Sequence, residues 1–238
     1  MGKLYVIGIG PGSIENMTLR AKEAIEKSDI IVGYTKYVDL IKTLAKGKEI
    51  FSTGMKGEEE RCKEALRLSK DNIVSIISTG DAGIYGMAGL ILELKDGEDV
   101  EVIPGITASS AAASVLGAPI MHDNCNISLS DLMTPYELIK KRIEMAAEGD
   151  FVISLYNPKS KGRPHYLRES LETIKKYRAG NTPVAVVKHA LRDGQDVKLF
   201  NLDSFDDSQV DMMCIVIIGN SQSYIKQGEF ITPRGYKL

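Results

Sequence analysis

An apolar run at 73–77, Ile-Val-Ser-Ile-Ile, breaks at once into Ser78-Thr79-Gly80-Asp81-Ala82-Gly83-Ile84-Tyr85-Gly86-Met87. No other stretch constrains the fold as much. The run reads as a strand buried on both faces, and helical spacing follows the small-residue loop as far as Leu94. Strand, glycine-rich turn and helix in that order make one unit of a parallel α/β sheet. In such sheets ligands collect outside the carboxyl ends of the strands. Glycine lets backbone amides approach a ligand closely, because no Cβ intervenes. Two readings of Asp81 stay open at this point: a carboxylate in a ligand site, or the N-cap of the following helix.

The same unit recurs through the first half. Residues 4–7, 30–32, 49–51 and 100–103 read as strands. Residues 19–27, 37–44, 58–68 and the alanine-rich segment after Pro104 read as helices. Near-continuous apolar strands predict a mostly parallel sheet with helices on both faces. The pattern changes at Gly117-Ala118-Pro119. Beyond it, strands are expected at 126–129, 151–155, 184–187, 197–200 and 214–218, and helices at 135–147 and 166–177. Short polar loops between the late strands suggest antiparallel pairing. The expectation is an α/β chain of two domains, 1–117 and 118–238, with a mostly parallel N-terminal sheet and a mixed C-terminal sheet.

Bulk properties exclude several function classes. A net charge of −2 offers no global field to gather nucleic acid. No run of eighteen apolar residues is present, so no membrane span is expected. The start, Met1-Gly2-Lys3-Leu4-Tyr5, leads into a strand without a secretory apolar region, and a cytoplasmic protein is expected. Cys62, Cys125 and Cys214 form no Cys-x-x-Cys pair, and His122, His165 and His189 are scattered, so no metal site is expected.

Gly8-Ile9-Gly10-Pro11-Gly12 follows the first strand but is no dinucleotide fingerprint. Ser13 stands where the third glycine belongs, Pro11 lacks an amide donor, and Asp29 precedes the second strand instead of ending it. Pro104-Gly105-Ile106-Thr107-Ala108 is a third glycine-rich strand end, with Thr107 or Ser109 able to cap the helix. Three such ends in one parallel sheet predict a cleft along that edge. In the polar stretch 121–135, His122 beside Asp123 could act as general acid or base, or simply form a hydrogen-bonded turn. Tyr156-Asn157-Pro158-Lys159-Ser160-Lys161-Gly162-Arg163 concentrates positive charge, either as a solvated loop or as an attractor for carboxylates or phosphates. Lys56, Arg61 and Lys63 alternate with Glu58, Glu59 and Glu60, as in a salt-bridged helix face.

These motifs, together with Gly54-Met55 and the continuation of the first loop to Ala88, resemble the tetrapyrrole methylases along essentially the whole chain. Residues 117–123, 127–135 and 156–160 resemble the members that act on C17 of precorrin-3B or cobalt-precorrin-3. Tyr136 departs from them, since the family commonly has tryptophan there. The resemblance implies the class III methyltransferase fold, with an active-site cleft between two domains, and a homodimer. It implies S-adenosylmethionine as cofactor, leaving as S-adenosylhomocysteine, and methylation of C17 of a precorrin macrocycle with ring contraction, in cobalamin biosynthesis.

Carried onto this sequence, the cofactor positions are Pro11, Gly80, Asp81, Ala82, Ile84, Thr107, Ala108, Leu155, Tyr156 and Ala190. Gly12, with Pro11, lines the trough for the macrocycle. Lys159, Lys161 and Arg163 are expected at the substrate's carboxylate rim, and His122, Asp123, Ser130 and Asp131 are the candidates for proton management. Whether the substrate carries cobalt stays open. So do the alternatives of methylation at another precorrin position, on diphthamide or on ribosomal RNA, and of a non-catalytic tetrapyrrole carrier.

Overall fold

Alternate side chains of the first strand point to opposite faces of the sheet, and both faces find cover. In the computed structural model, which describes residues 2–236, β1 spans Lys3–Gly8 and is followed by α1 (Leu19–Lys27), β2 (Ile30–Tyr34), α2 (Thr35–Leu40) and β3 (Glu49–Thr53). Then come α3 (Glu58–Leu68), β4 (Ile73–Ser78), α4 (Ala88–Leu94) and β5 (Val100–Ile103). All five strands are parallel, in the order β3-β2-β4-β1-β5. Tyr5, Ile7, Ile31, Ile77 and Ile103 pack on one face against Ala21 and Ile25 of α1 and Val38 of α2. Leu4, Val6, Val32, Val74 and Ile76 pack on the other against Cys62 and Leu66 of α3 and Ile91 of α4. Burial on both faces is why the inner strands β1, β2 and β4 carry no polar alternation. Each such side chain contributes about 1.5–3 kcal/mol.

The helix expected at 37–44 is shorter: α2 ends at Leu40 and the chain turns through 41–47. Helix α3 follows its sequence closely, with Glu58, Glu59 and Glu60 in its first turn and Arg67 in its last, the charge order the helix dipole favours.

The second half comprises α5 (Ala108–Leu116), β6 (Gly117–Ala118), β7 (Asn124–Ser128), α6 (Tyr136–Glu148), β8 (Val152–Tyr156) and α7 (Tyr166–Ile174). It continues with β9 (Pro183–Lys188), β10 (Asp196–Asn201), β11 (Cys214–Ile218), β12 (Tyr224–Lys226) and β13 (Glu229–Ile231). Its main sheet has the order β10-β9-β11-β8-β7. Strands β7 and β8 are parallel, and β11 is antiparallel to both β8 and β9. Strands β7, β8 and β9 therefore end on the same edge. Helices α6 and α7 cover one face, where Ile139, Ile143, Leu167 and Leu171 meet Ile127, Ile153, Leu155, Val186 and Val216. The short strands β6, β12 and β13 form a separate small sheet that the sequence did not announce.

The chain divides into two compact units, one ending at Ala108 and the other beginning at Ser109. The division falls in the first turn of α5, ahead of the Gly117-Ala118-Pro119 segment at which the domains 1–117 and 118–238 were expected to meet.

Candidate active site

Because β4, β1 and β5 are adjacent and parallel, their three glycine-rich ends stack on one another. Ile9 N–H donates to the carbonyl of Ser78 at 2.8 Å, Gly10 N–H to Gly80 at 2.9 Å, and Ile106 N–H to Gly10 at 3.3 Å. A Cβ on Gly8 would lie 2.7 Å from Gly105 N, 2.7 Å from the Gly80 oxygen and 2.8 Å from Ala82 N. One on Gly105 would overlap the carbonyl oxygens of Gly8 and Gly80. These absent side chains serve first to let three loops touch, and only through that to shape a ligand edge. Gly80 differs, since its φ of +66° is the reason for glycine there.

Asp81 holds the stack together. Its Oδ1 accepts from Gly83 N–H at 2.7 Å and its Oδ2 from Gly105 N–H at 3.0 Å, joining the β4 and β5 loops. The helix N-cap reading of Asp81 is thereby corrected. Helix α4 begins only at Ala88, and Met87 N–H at its start donates to Ser78 Oγ at 3.2 Å. Gly80, Asp81, Ile84, Thr107 and Ala108 are half-buried, Gly83 and Tyr85 are exposed, and Ala82, Pro11 and Gly12 are buried. Tyr85 has φ +55°, an uncommon conformation for a bulky residue.

Across residues 8–13, 78–88 and 104–113, Asp81 is the single charged side chain. An edge whose single charged side chain is a carboxylate disfavours an anionic ligand and favours a cationic one. To that extent these residues fit the sulfonium of S-adenosylmethionine.

In the second unit, the ends of β7, β8 and β9 gather a second set of groups. The Tyr156 hydroxyl donates to Ser109 Oγ and accepts from Ser109 N–H, both at 3.0 Å, which fixes the ring against the first turn of α5. Leu155 is buried in the core under α6 and α7, so only its backbone faces the edge. Ala190 lies just past β9, between His189 (φ +51°) and Leu191 (φ +57°), and Asn157 past β8 has φ +50°. Left-handed backbone thus clusters where the expected site residues lie. Burial, then the neighbouring Arg192 and Lys188, hold the His189 imidazole below its ordinary pKa. Ser128 Oγ accepts from Asn157 Nδ2 at 2.9 Å and from Ser130 N–H at 3.2 Å.

The expected catalytic quartet separates. Ser130 and Asp131 follow β7, whereas His122 and Asp123 precede it. A five-residue strand at about 3.3 Å per residue puts the two pairs roughly 16 Å apart, on opposite edges of the sheet. His122 and Asp123 are exposed, and Asp123 N–H donates to His122 Nδ1 at 2.8 Å, the hydrogen-bonded turn that was the plainer of the two readings.

The basic loop also resolves into distinct roles. Arg163, expected at the substrate rim, is only 7% exposed. Its Nη1 donates to the carbonyls of Leu129 and Asn157, and its Nε lies 3.6 Å from Asp131 Oδ1. Lys159 donates to the Asp207 carbonyl at 2.9 Å and pairs with the Asp207 carboxylate at 3.2 Å. Lys161 is the exposed cation of the three. Arg163→Met is therefore expected to cost about 2 kcal/mol of stability, less than a fully buried pair because Asp131 is partly exposed, while Lys161→Ala costs almost nothing. Thermal unfolding of the two variants checks this; equal melting temperatures would contradict the assigned latch.

Near α3, Arg61 is buried and donates to Thr53 Oγ1 at 2.6 Å and to the Gly54 carbonyl at 2.8 Å, and Lys63 pairs with Glu59. This is the salt-bridged face that the alternating charges suggested. Burial pushes the thiols of Cys62, Cys125 and Cys214 up to about 11 each, so none is a nucleophile at neutral pH. Two participants escaped the sequence reading in these roles. Ser109 carried only a capping signal, and Tyr166 carried none, although its hydroxyl donates to Asp131 Oδ2 at 2.8 Å.

The pattern of the tetrapyrrole (corrin/porphyrin) methylases matches residues 3–206. A probable cobalt-factor III C(17)-methyltransferase of Salmonella typhimurium is 51% identical over 99% of this chain and 100% of its own length. A cobalt-factor III methyltransferase of Priestia megaterium is 49% identical over 99% of this chain, which spans 45% of that longer protein. The crystal structure of the methyltransferase CobJ superposes with a TM-score of 0.92 at 31% identity, covering 98% of this chain and 100% of that one. The chain belongs to the tetrapyrrole methylase family.

Proposed function

We propose that this chain transfers a methyl group from S-adenosylmethionine to C17 of a cobalt-bearing tetrapyrrole, cobalt-factor III, with contraction of the macrocycle, as a step of cobalamin biosynthesis. The observation that carries the cofactor half is Asp81, the lone charge on three stacked glycine-rich loops. The substrate half rests on the names of the Salmonella and Priestia relatives.

When bound, S-adenosylmethionine supplies an electrophilic methyl on a sulfonium. The chain's own task is alignment, for which well-oriented systems reach effective molarities of about 10⁵–10⁸ M. Gly80, Asp81, Ala82, Ile84, Thr107 and Ala108 are the proposed cofactor residues of the first unit, beside Pro11. In the second unit the backbone of Leu155, the ring of Tyr156 and Ala190 take that part. Tyr156, fixed by two bonds to Ser109, offers one ring orientation without rearrangement.

Gly12 is assigned to the macrocycle. Lys161 meets a substrate carboxylate, while Lys159 and Arg163 act through the loops they hold. Ser130 and Asp131 remain the candidates for handling protons during contraction. His122 and Asp123 take no part in that step, because the length of β7 separates them from the edge that holds Tyr156. A cytoplasmic homodimer completes the proposal; no helix among the described residues is long and apolar enough to cross a membrane.

Incubation with S-adenosylmethionine and either cobalt-factor III or metal-free precorrin-3B, with chromatography of S-adenosylhomocysteine, tests the reading. Product with cobalt-factor III is expected. Product with the metal-free macrocycle alone would overturn the substrate, and product with neither would overturn methyl transfer.

A further inference from the structure

Among the described residues Met133 is the most exposed large apolar side chain, at 89%, and its neighbour Leu132 is 76% exposed. Single exposed apolar residues are ordinary. This pair is unusual because the segment that carries it is pinned from several sides. The Leu129 carbonyl accepts from Arg163 Nη1, and Ser130 N–H donates to Ser128 Oγ at 3.2 Å. The Asp131 carboxylate accepts from the Tyr166 hydroxyl at 2.8 Å and faces Arg163 Nε at 3.6 Å. Beyond the tip, the ring of Tyr136 stacks on that of Tyr166 with centroids 3.7 Å apart. A segment with so many anchors cannot fold its two apolar side chains back into the core.

Apolar groups that are held out in water and continuous with a ligand edge mark a contact surface. The tip follows β7 directly and so shares the edge with Tyr156, Asn157 and the exposed Lys161. Asp131 is neutralised from beneath by Arg163, which leaves Lys161 as the exposed cation of that loop. Apolar side chains on the same sheet edge as an exposed cation complement a flat macrocycle whose faces are apolar and whose rim bears carboxylates. We infer that Leu132 and Met133 form a preset platform for one face of the tetrapyrrole, and that Arg163 and Tyr166 are the positioning residues that hold it in place. The inference rests on the tetrapyrrole reading above and adds the substrate-contacting positions to it.

The test is an absorbance titration of the full chain with cobalt-factor III, repeated on Leu132→Ser/Met133→Ser and on Tyr166→Phe. Parallel measurements follow S-adenosylmethionine affinity, melting temperature and elution volume. The double variant is expected to raise the dissociation constant of the macrocycle at least about tenfold, since two exposed side chains lose their apolar contact. Its cofactor affinity, melting temperature and elution volume should match the parent. Tyr166→Phe keeps the stacked ring but removes one of the two contacts on Asp131, and is expected to raise the same constant about threefold with a fall of only a few degrees in melting temperature.

Parent-like binding of the macrocycle by the double variant would overturn the platform. So would weaker binding that appears only together with a change in elution volume, since the tip would then be a contact between copies of the chain. A parent chain that binds cobalt-factor III without methylating it would overturn the reaction and leave the platform standing. A parent chain that methylates, with a double variant of unchanged affinity, would do the reverse.

Discussion

Asp81→Ala is expected to weaken S-adenosylmethionine binding at least a hundredfold, the largest effect of any single exposed-edge substitution in this chain. The carboxylate accepts one backbone N–H from its own loop and one from the β5 loop. Hydrogen bonds to a charged group are each worth about 1.5–3 kcal/mol, and partial exposure places these near the lower end. Losing both removes the direct tie between the β4 and β5 loops and the lone negative charge that the proposal sets against the sulfonium. About 3 kcal/mol of binding free energy corresponds to roughly two orders of magnitude in affinity. Asp81→Asn should fall between, because the amide keeps the shape and one acceptor but turns a donor toward a second donor. Calorimetric titration with the cofactor separates the cases; parent-like affinity in the alanine variant would remove Asp81 from the site.

Gly8→Ala is the second large effect, and it comes through packing. The new Cβ would sit within 2.7–2.8 Å of three backbone atoms of the neighbouring loops, and backbone cannot move aside as a flexible side chain can. Overpacking of this kind costs about 3 kcal/mol, or roughly 6–12 °C in melting temperature. Cofactor binding should be lost with it, because the strand ends no longer stack. Gly89 supplies the control. It lies in α4, where a Cβ would meet nothing within 4 Å, so Gly89→Ala should stabilise by about 0.5–1 kcal/mol. If Gly8→Ala and Gly89→Ala unfolded at the same temperature, the stacked-loop account would fail.

The architecture was legible where burial sets a period. Residues 4–7 and 73–77 are apolar apart from the buried Ser75, because two helical layers cover them, and β1 and β4 fall where that pattern places them. The mixed second sheet followed from the shorter polar loops. Helix α2 stops early, at Leu40, and the small β12–β13–β6 sheet is too short to leave a periodic trace.

The site was legible by residue type but less so by role. Glycine-rich segments after β1, β4 and β5 pointed to three strand ends lying together. Their reason, loop against loop, depends on strand order, which local sequence does not encode. Arg163 reads in sequence like its neighbour Lys161. Only the fold turns it inward, onto the carbonyls of Leu129 and Asn157. His122 and Asp131 are nine positions apart in one polar stretch, and an intervening extended strand is what separates them.

The most direct test of the account is the position of a transferred carbon. Incubation of the chain with cobalt-factor III and S-adenosylmethionine labelled with ¹³C in its methyl group, followed by NMR of the isolated macrocycle, locates that carbon. The account predicts a single labelled methyl bonded to C17 of a contracted ring. Label on any other ring position, or a recovered macrocycle without label, would contradict it.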